Sequence, residues 1–253
     1  MLEVHDHAAV RELRLARPPA NALDPALVAA LRAAVEDAPG EGARALVLSG
    51  SPGRFSGGLD VPVLLGLSRP AMESFLHDFF GLMRALAVSD IPTVAAITGH
   101  APAGGAVLAI FCDDRVMAAG DFRIGLNEVR VGLSLPQVIH SALELVVGSR
   151  QALRLGVRGL LVPPEGALAI GLVDELASPG EVIARALERA AEYLALPPAA
   201  MARTRALCRS RLRELFDEQQ EATFARFVDD WFSVETQGAM HALVERLRAK
   251  SAP

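Results

Sequence analysis

Cysteine is scarce in this chain: Cys112 and Cys208 are the only two among 253 residues. That excludes a disulfide-built scaffold and any cluster of metal-binding thiolates, and it fits a reducing, cytoplasmic setting. Long apolar runs are missing too. The longest, such as GGAVLAIF at 104–111, fall far short of the ~20 residues a helix needs to cross a bilayer. The opening MLEVHDHAAVREL carries acids and has no apolar centre, so neither a signal peptide nor a membrane partner is expected. There is no cationic surplus. A formal net charge of −5 argues against nucleic acid as a partner, because phosphate contacts need clustered Lys and Arg. No G-x-G-x-x-G follows a strand, and the glycine-rich loop at 50–60 lacks the lysine of a phosphate-binding loop. Nucleotide-dependent chemistry therefore has no support.

What is present is the raw material of a large core: 51% of residues are apolar and 22% charged. Val10, Leu13 and Leu15 mark a strand, and Asp24-Pro25 starts a helix with Leu27, Val28, Leu31 and Val35 on one face. RALVLS at 44–49 reads as a buried strand, and Met72 to Leu86 as a helix dense in Phe and Met. Thr93 to Ile97 and Arg115 to Ala118 are further strands. Strand–helix alternation at this spacing predicts an α/β fold with a largely parallel sheet. The run QVIHSALELVVG ends at Gly148 and a second helix begins at Ser149. From residue 181 only helical patterning remains, over 181–196, 199–216 and 217–250, with Phe216, Phe224, Phe227, Trp231 and Phe232 clustered there. The expected organisation is a core at 1–180 and a helical region at 181–253 that packs on that core or on a neighbouring subunit.

Two stretches carry chemistry. In the first, Gly99 breaks the strand at 93–97, residues 100–103 turn, and Gly104-Gly105 open a helix. The first amides of a helix lack internal partners and lie at the positive end of its dipole. With no Cβ in the way, an oxygen acquiring negative charge can approach them. Glu128 follows 24 positions later, between Asn127 and the apolar Val129. An anion cradle followed by an acid in apolar surroundings points to proton transfer. The second stretch is the loop at 50–60, with four glycines in nine residues, whose backbone can approach a ligand directly.

FSGGLD at 55–60, ITGHAPAGGAVLAIFCDDRVMA at 97–118, FRIGLNEVRVGL at 122–133 and LLVPPEGALAIGLVDEL at 160–176 together resemble the enoyl-CoA hydratase/isomerase (crotonase) superfamily. Within it, the chain is most similar to the mitochondrial-type Δ3,Δ2-enoyl-CoA isomerases. The resemblance runs over nearly the whole chain. It implies a crotonase-like β/α spiral core with a C-terminal helical region, assembled as a homotrimer or a dimer of trimers. It also implies an acyl-CoA thioester substrate and no cofactor, coenzyme A being part of the substrate. By resemblance, the amides of Leu59 and Gly104 form an oxyanion hole. Ala20, Asn21, Ala22, Gly57, Gly58, Asp60, Val61, Gly105 and Asn127 fall where such proteins hold the substrate and its coenzyme A moiety.

One departure bears on activity. Hydratases of this superfamily use two glutamates, and here the first stands as Val107 while the second is Glu128. Valine cannot activate water, whereas a lone glutamate can carry a proton from C2 to C4 of a 3-enoyl thioester. The expectation is an isomerase with Glu128 as its base. Two alternatives stand beside it: another acyl-CoA enolate enzyme of hydratase type, and a non-catalytic homologue that binds acyl-CoA or RNA. Other residues read as structural: His100 in its turn, Asp113-Asp114-Arg115 as local charge pairing, Asp60 as a brace. The arginines at 203, 205, 209, 211 and 213 read as a solvated helix face.

Overall fold

The computed structural model describes residues 1–218 and 220–251. β1 (Leu2–His7) and β2 (Val10–Leu15) form a hairpin. Asp24 then caps α1 (Pro25–Asp37), accepting the Leu27 amide at 2.8 Å. β3 (Ala45–Ser49) and the short β4 (Gly53–Arg54) lead through α2 (Val61–Leu64) into α3 (Arg69–Val88). β5 (Thr93–Ile97), β6 (Gly99–Pro102) and α4 (Gly104–Ile110) come next. β7 (Asp114–Ala118) and β8 (Ile124–Gly125) precede a 3₁₀ turn at Glu128–Val131. α5 (Gln137–Arg158) is two helices meeting at Gly148, whose φ of 74° is left-handed, as the sequence predicts. α6 (Pro164–Ala169), β9 (Glu175–Ala177) and α7 (Val182–Leu194) follow. α8 (Pro198–Cys208), α9 (Ser210–Glu218), α10 (Gln220–Trp231) and α11 (Val234–Ser251) end the described chain.

Two sheets organise these elements. A six-stranded sheet runs β1-β2-β3-β5-β7-β9 and is parallel apart from the β1–β2 hairpin. A small parallel sheet runs β4-β6-β8. Each of β3, β5 and β7 hands the chain to a strand of the small sheet, and helices return it. The result is a β/α spiral. Strands β3 and β5 are buried along their whole length, which explains their unbroken apolar runs. One face of the large sheet joins the main core with α1, α3, α4 and α5. The other is covered by α7, whose Ala186 and Ala190 lie against small residues such as Ala45 and Ala96.

Four sequence expectations are corrected. The segment 100–103, expected as a turn, belongs to strand β6. The strand at 93–97 does end before Gly99, which opens β6 and lets two strands touch, since a Cβ there would sit 1.9 Å from the Gly53 carbonyl carbon. The hairpin partner β1 was not expected, because LEVHDH is polar and only half-buried on a sheet edge. The helices expected at 199–216 and 217–250 each divide. The first breaks at Arg209, and the second at Ser233, whose hydroxyl caps α11 by accepting the Thr236 amide at 3.2 Å. The second stretch also takes in residue 219, which with 252 and 253 lies outside the described residues.

Two of the five arginines are the fourth correction; Arg203, Arg211 and Arg213 are exposed, as expected. Arg205 and Arg209 are not solvated: both bind Asp113, at 2.8 and 3.0 Å. Arg205 also donates to the Ser89 carbonyl just past α3, and Arg209 to the Phe111 carbonyl just past α4, at 2.8 Å. Cations at helix C-termini satisfy carbonyls that have no partner within the helix. Asp113 further accepts from the Thr93 amide at 2.8 Å, and burial holds the Arg209 pKa below its usual range. Removing the shared carboxylate leaves two enclosed cations unbalanced. Asp113→Ala is expected to cost about 3–5 kcal/mol of stability, read from the urea midpoint; a loss below ~1 kcal/mol would show that water replaces the carboxylate.

Candidate active site

The loop at 55–60 is held from below by the segment before α1. The Gly57 amide donates to the Ala20 carbonyl at 2.7 Å, and Ser56 Oγ donates to the Asn21 carbonyl at 2.8 Å. Leu23 and Gly58 pair at 2.8 Å, and the Asp60 amide returns to the Leu23 carbonyl at 3.0 Å. Asn21 is buried with a left-handed φ of 49°. Its Nδ2 donates to the carbonyls of Arg54 and Phe55, while its Oδ1 accepts the Arg17 amide. Its side chain is therefore spent on tying the two segments together. Asp60 is likewise a brace: it caps α2 through the Val63 amide and pairs with Arg17 at 2.6 Å.

These bonds engage the amides of Gly57 and Asp60, and the Gly58 amide donates to Ser56 Oγ at 3.2 Å. Among the described residues no bond is found for the amide of Leu59, and none for that of Gly104 at the start of α4. The two lie close together. A Cβ on Gly58 would be 3.2 Å from the Gly104 nitrogen, and one on Gly104 would be 3.4 Å from the Leu59 nitrogen. Ala103, just before the helix, has φ 46° and ψ −120°, a conformation L residues rarely adopt. Such strain costs about 1–3 kcal/mol and concentrates at functional sites. Ala103 is held there by its amide's bond to the Gly125 carbonyl at 2.9 Å. Gly105 packs on the same loop, since a Cβ there would meet the Ser56 carbonyl oxygen at 2.7 Å.

On the other side, β8 ends at Gly125 and the chain enters the 3₁₀ turn through Leu126 and Asn127. Glu128 is its first residue. Glu128 Oε2 and the neighbouring Asn127 Oδ1 are buried and have no hydrogen-bond partner. Burial pushes the Glu128 carboxyl up to about 7, only partly opposed by the residue's own backbone amide. The cause is desolvation, which disfavours the charged form.

The small sheet gathers these groups. Pairing of Arg54 with His100 and of Pro102 with Gly125 aligns β4, β6 and β8 in parallel. Leu59, Gly104 and Glu128 each follow the carboxyl end of one of those strands, where parallel sheets commonly place their sites. Val107 lies one turn into α4 and is 1% exposed, so no carboxylate occupies that position. His100 is structural: its Nδ1 accepts the Arg123 amide at 3.2 Å and its ring meets Phe122 edge-on. A cavity of about 720 Å³ lies between α5 and α8, and none of its lining residues belongs to these strand ends. Among the described residues no group of His, Cys, Asp and Glu is arranged to hold a metal ion. No described helix is long and apolar enough to cross a membrane.

A family model for enoyl-CoA hydratase/isomerase matches residues 5–251. The chain belongs to the enoyl-CoA hydratase/isomerase family. Human mitochondrial enoyl-CoA delta isomerase 1 is 31% identical over 251 residues, covering 98% of this chain and 83% of the human one. A putative enoyl-CoA hydratase of Thermus thermophilus is 34% identical over 191 residues, 74% of this chain and 75% of its own. The crystal structure of human mitochondrial delta3-delta2-enoyl-CoA isomerase superposes with a TM-score of 0.95 at 30% identity, covering 99% of both chains. The crotonase-type fold of the enoyl-CoA hydratase/isomerase family is therefore this chain's fold, with its helical region at the C-terminal end.

Sequence reading within this family missed two polar groups. Ser56 Oγ locks the loop, and Thr236 on α11 donates to the Gly132 carbonyl at 2.7 Å. Neither carries a local signal: a serine in a loop and a threonine in the first turn of a helix are ordinary.

Proposed function

We propose that this protein is a Δ3,Δ2-enoyl-CoA isomerase that moves a 3-enoyl-CoA double bond to the 2-trans position. The observation that carries the reading is Glu128: its Oε2 is enclosed without a hydrogen-bond partner and desolvation pushes its carboxyl up to about 7, with Val107 where a second acid would be needed for hydration. The thioester oxygen is directed at the amides of Leu59 and Gly104. Glu128 removes the C2 proton, the negative charge of the dienolate falls largely on that oxygen, and the same carboxyl returns the proton at C4. A base whose pKa lies near the working pH suits both halves of the shuttle. The backbone of Ala20, Asn21, Ala22 and Gly57 to Val61, with Gly105 and Asn127, lies along the coenzyme A and acyl portion. No further cofactor is required.

The likeness to the human isomerase over almost the full chain supports this reading; the Thermus putative hydratase supports a hydratase-type enolate enzyme as the second. A homotrimer, single or paired, is the assembly we propose, in a reducing cytoplasm, with fatty-acid β-oxidation as the setting. The deciding experiment mixes the enzyme separately with 3-enoyl-CoA and 2-enoyl-CoA while following the absorbance of the conjugated thioester. A rise with the first and no fall with the second is the expected result. A fall with the second substrate, at a rate matching or exceeding the rise, would make the enzyme a hydratase.

A further inference from the structure

We infer that Thr236, in the first turn of α11, is a positioning residue for Glu128; this rests on the isomerase reading of the site. Gly132 closes the 3₁₀ turn in the left-handed conformation, φ 78°, and its amide turns back to the carbonyls of Glu128 and Val129. The Leu133 amide also reaches the Glu128 carbonyl, at 3.2 Å. The backbone of Glu128 thus hangs from this cap. Thr236 Oγ1 donates to the Gly132 carbonyl at 2.7 Å and is itself 3.1 Å from Ser233 Oγ. Thr236 is 1% exposed, so the donor hydroxyl is held away from bulk water. A Cβ on Gly132 would sit 3.0 Å from the Thr236 Cα, so the two backbones are nearly in contact.

Two further bonds steady the neighbourhood without touching the cap. Arg130 Nε donates to the Gly159 carbonyl at 2.6 Å, and Ser134 Oγ to Asp230 Oδ2 at 2.6 Å. Arg130 and Asp230, with Asp229, Glu235 and Arg158, are charged groups on the turn and on nearby helix ends. None of them contributes to the Glu128 shift. What Thr236 controls is therefore the placement and enclosure of the carboxyl, and not its charge environment.

The test compares Thr236→Val, which keeps the shape and removes the donor, with Thr236→Ser, which keeps the donor. Both are assayed with 3-enoyl-CoA across the neutral pH range. For the valine variant we expect kcat to fall about tenfold with KM within about twofold, since small misplacements of a reacting group are costly. Its kcat–pH midpoint moves toward ordinary glutamate as water reaches the carboxyl, and the serine variant restores both. An unchanged kcat and midpoint in the valine variant overturns the inference. Thr236→Ala, assayed in the cold, is the second variant; failure of both to fold also overturns it, because the hydroxyl would then serve the whole fold. Glu128→Gln is run alongside. Full turnover there defeats the isomerase reading itself, whereas a dead glutamine variant with a normal valine variant defeats only the role of Thr236.

Discussion

Glu128→Gln is expected to lower kcat for 3-enoyl-CoA by about 10²- to 10⁴-fold, the range over which a positioned acid–base group contributes. Glutamine preserves the shape of the side chain and removes its ability to take a proton, so KM should change little. The wild-type kcat should rise with pH through about 7, the carboxyl's own pKa, because only the ionised form abstracts a proton. The same shift has a consequence for stability. The native carboxyl holds its proton up to about 7, whereas in the unfolded chain it ionises near the ordinary glutamate value of 4.5. Between those values the native state binds a proton that the unfolded state has released, so its stability falls as pH rises through that window. The glutamine variant carries no such liability. Its melting temperature should equal or exceed that of wild type above pH ~7, and the advantage should shrink in acid. Turnover within tenfold of wild type would remove Glu128 from the mechanism.

Gly104→Ala is expected to lower kcat by about 10²-fold, the lower end of the cost of losing one oxyanion donor, while leaving the protein folded. Both amides survive this change. The added methyl would sit 3.0 Å from Leu23 Cδ1, 3.2 Å from Gly58 Cα and 3.4 Å from the Leu59 nitrogen. It therefore acts as a wedge between the two donors, and a few tenths of an ångström is enough to misalign them on one oxygen. The crowding at Gly58 Cα is local and alanine is a better helix former than glycine, so the melting temperature should fall by only a few degrees. Loss of turnover with stability largely retained separates a site defect from a folding defect. A variant as active as wild type would show that the charge develops elsewhere.

How much of this was open to the sequence differs by element. α1 was readable from Asp24-Pro25 and its apolar stripe, and β3 and β5 from apolar runs too short for helices. Gly104-Gly105 and the lone Glu128 stood out for the same reason: each is a local departure from what a core segment needs. The two-residue strands β4 and β8 left no periodicity to detect, and the polar β1 resembled a surface segment. Arg205 and Arg209 were misread because a helical wheel reports which residues share a face. It does not report whether Asp113, about 90 positions away, waits under that face.

The amino-acid sequence alone determined the alternation of strands and helices, the pair of glycines at a helix start and the absence of a second acid at Val107. The first two follow from side-chain size, polarity and backbone freedom over a few neighbouring residues; the third is legible in the sequence only through its resemblance to the family's hydratases. Tertiary structure alone decided that β4, β6 and β8 lie side by side in parallel, so that Leu59, Gly104 and Glu128 follow their carboxyl ends on the same side. It also decided that Glu128 is desolvated and that Thr236 grips its turn from 104 residues farther along the chain. Burial and long-range hydrogen bonds are properties of how elements pack, and no local pattern in the chain encodes which distant element will close over a given carboxyl.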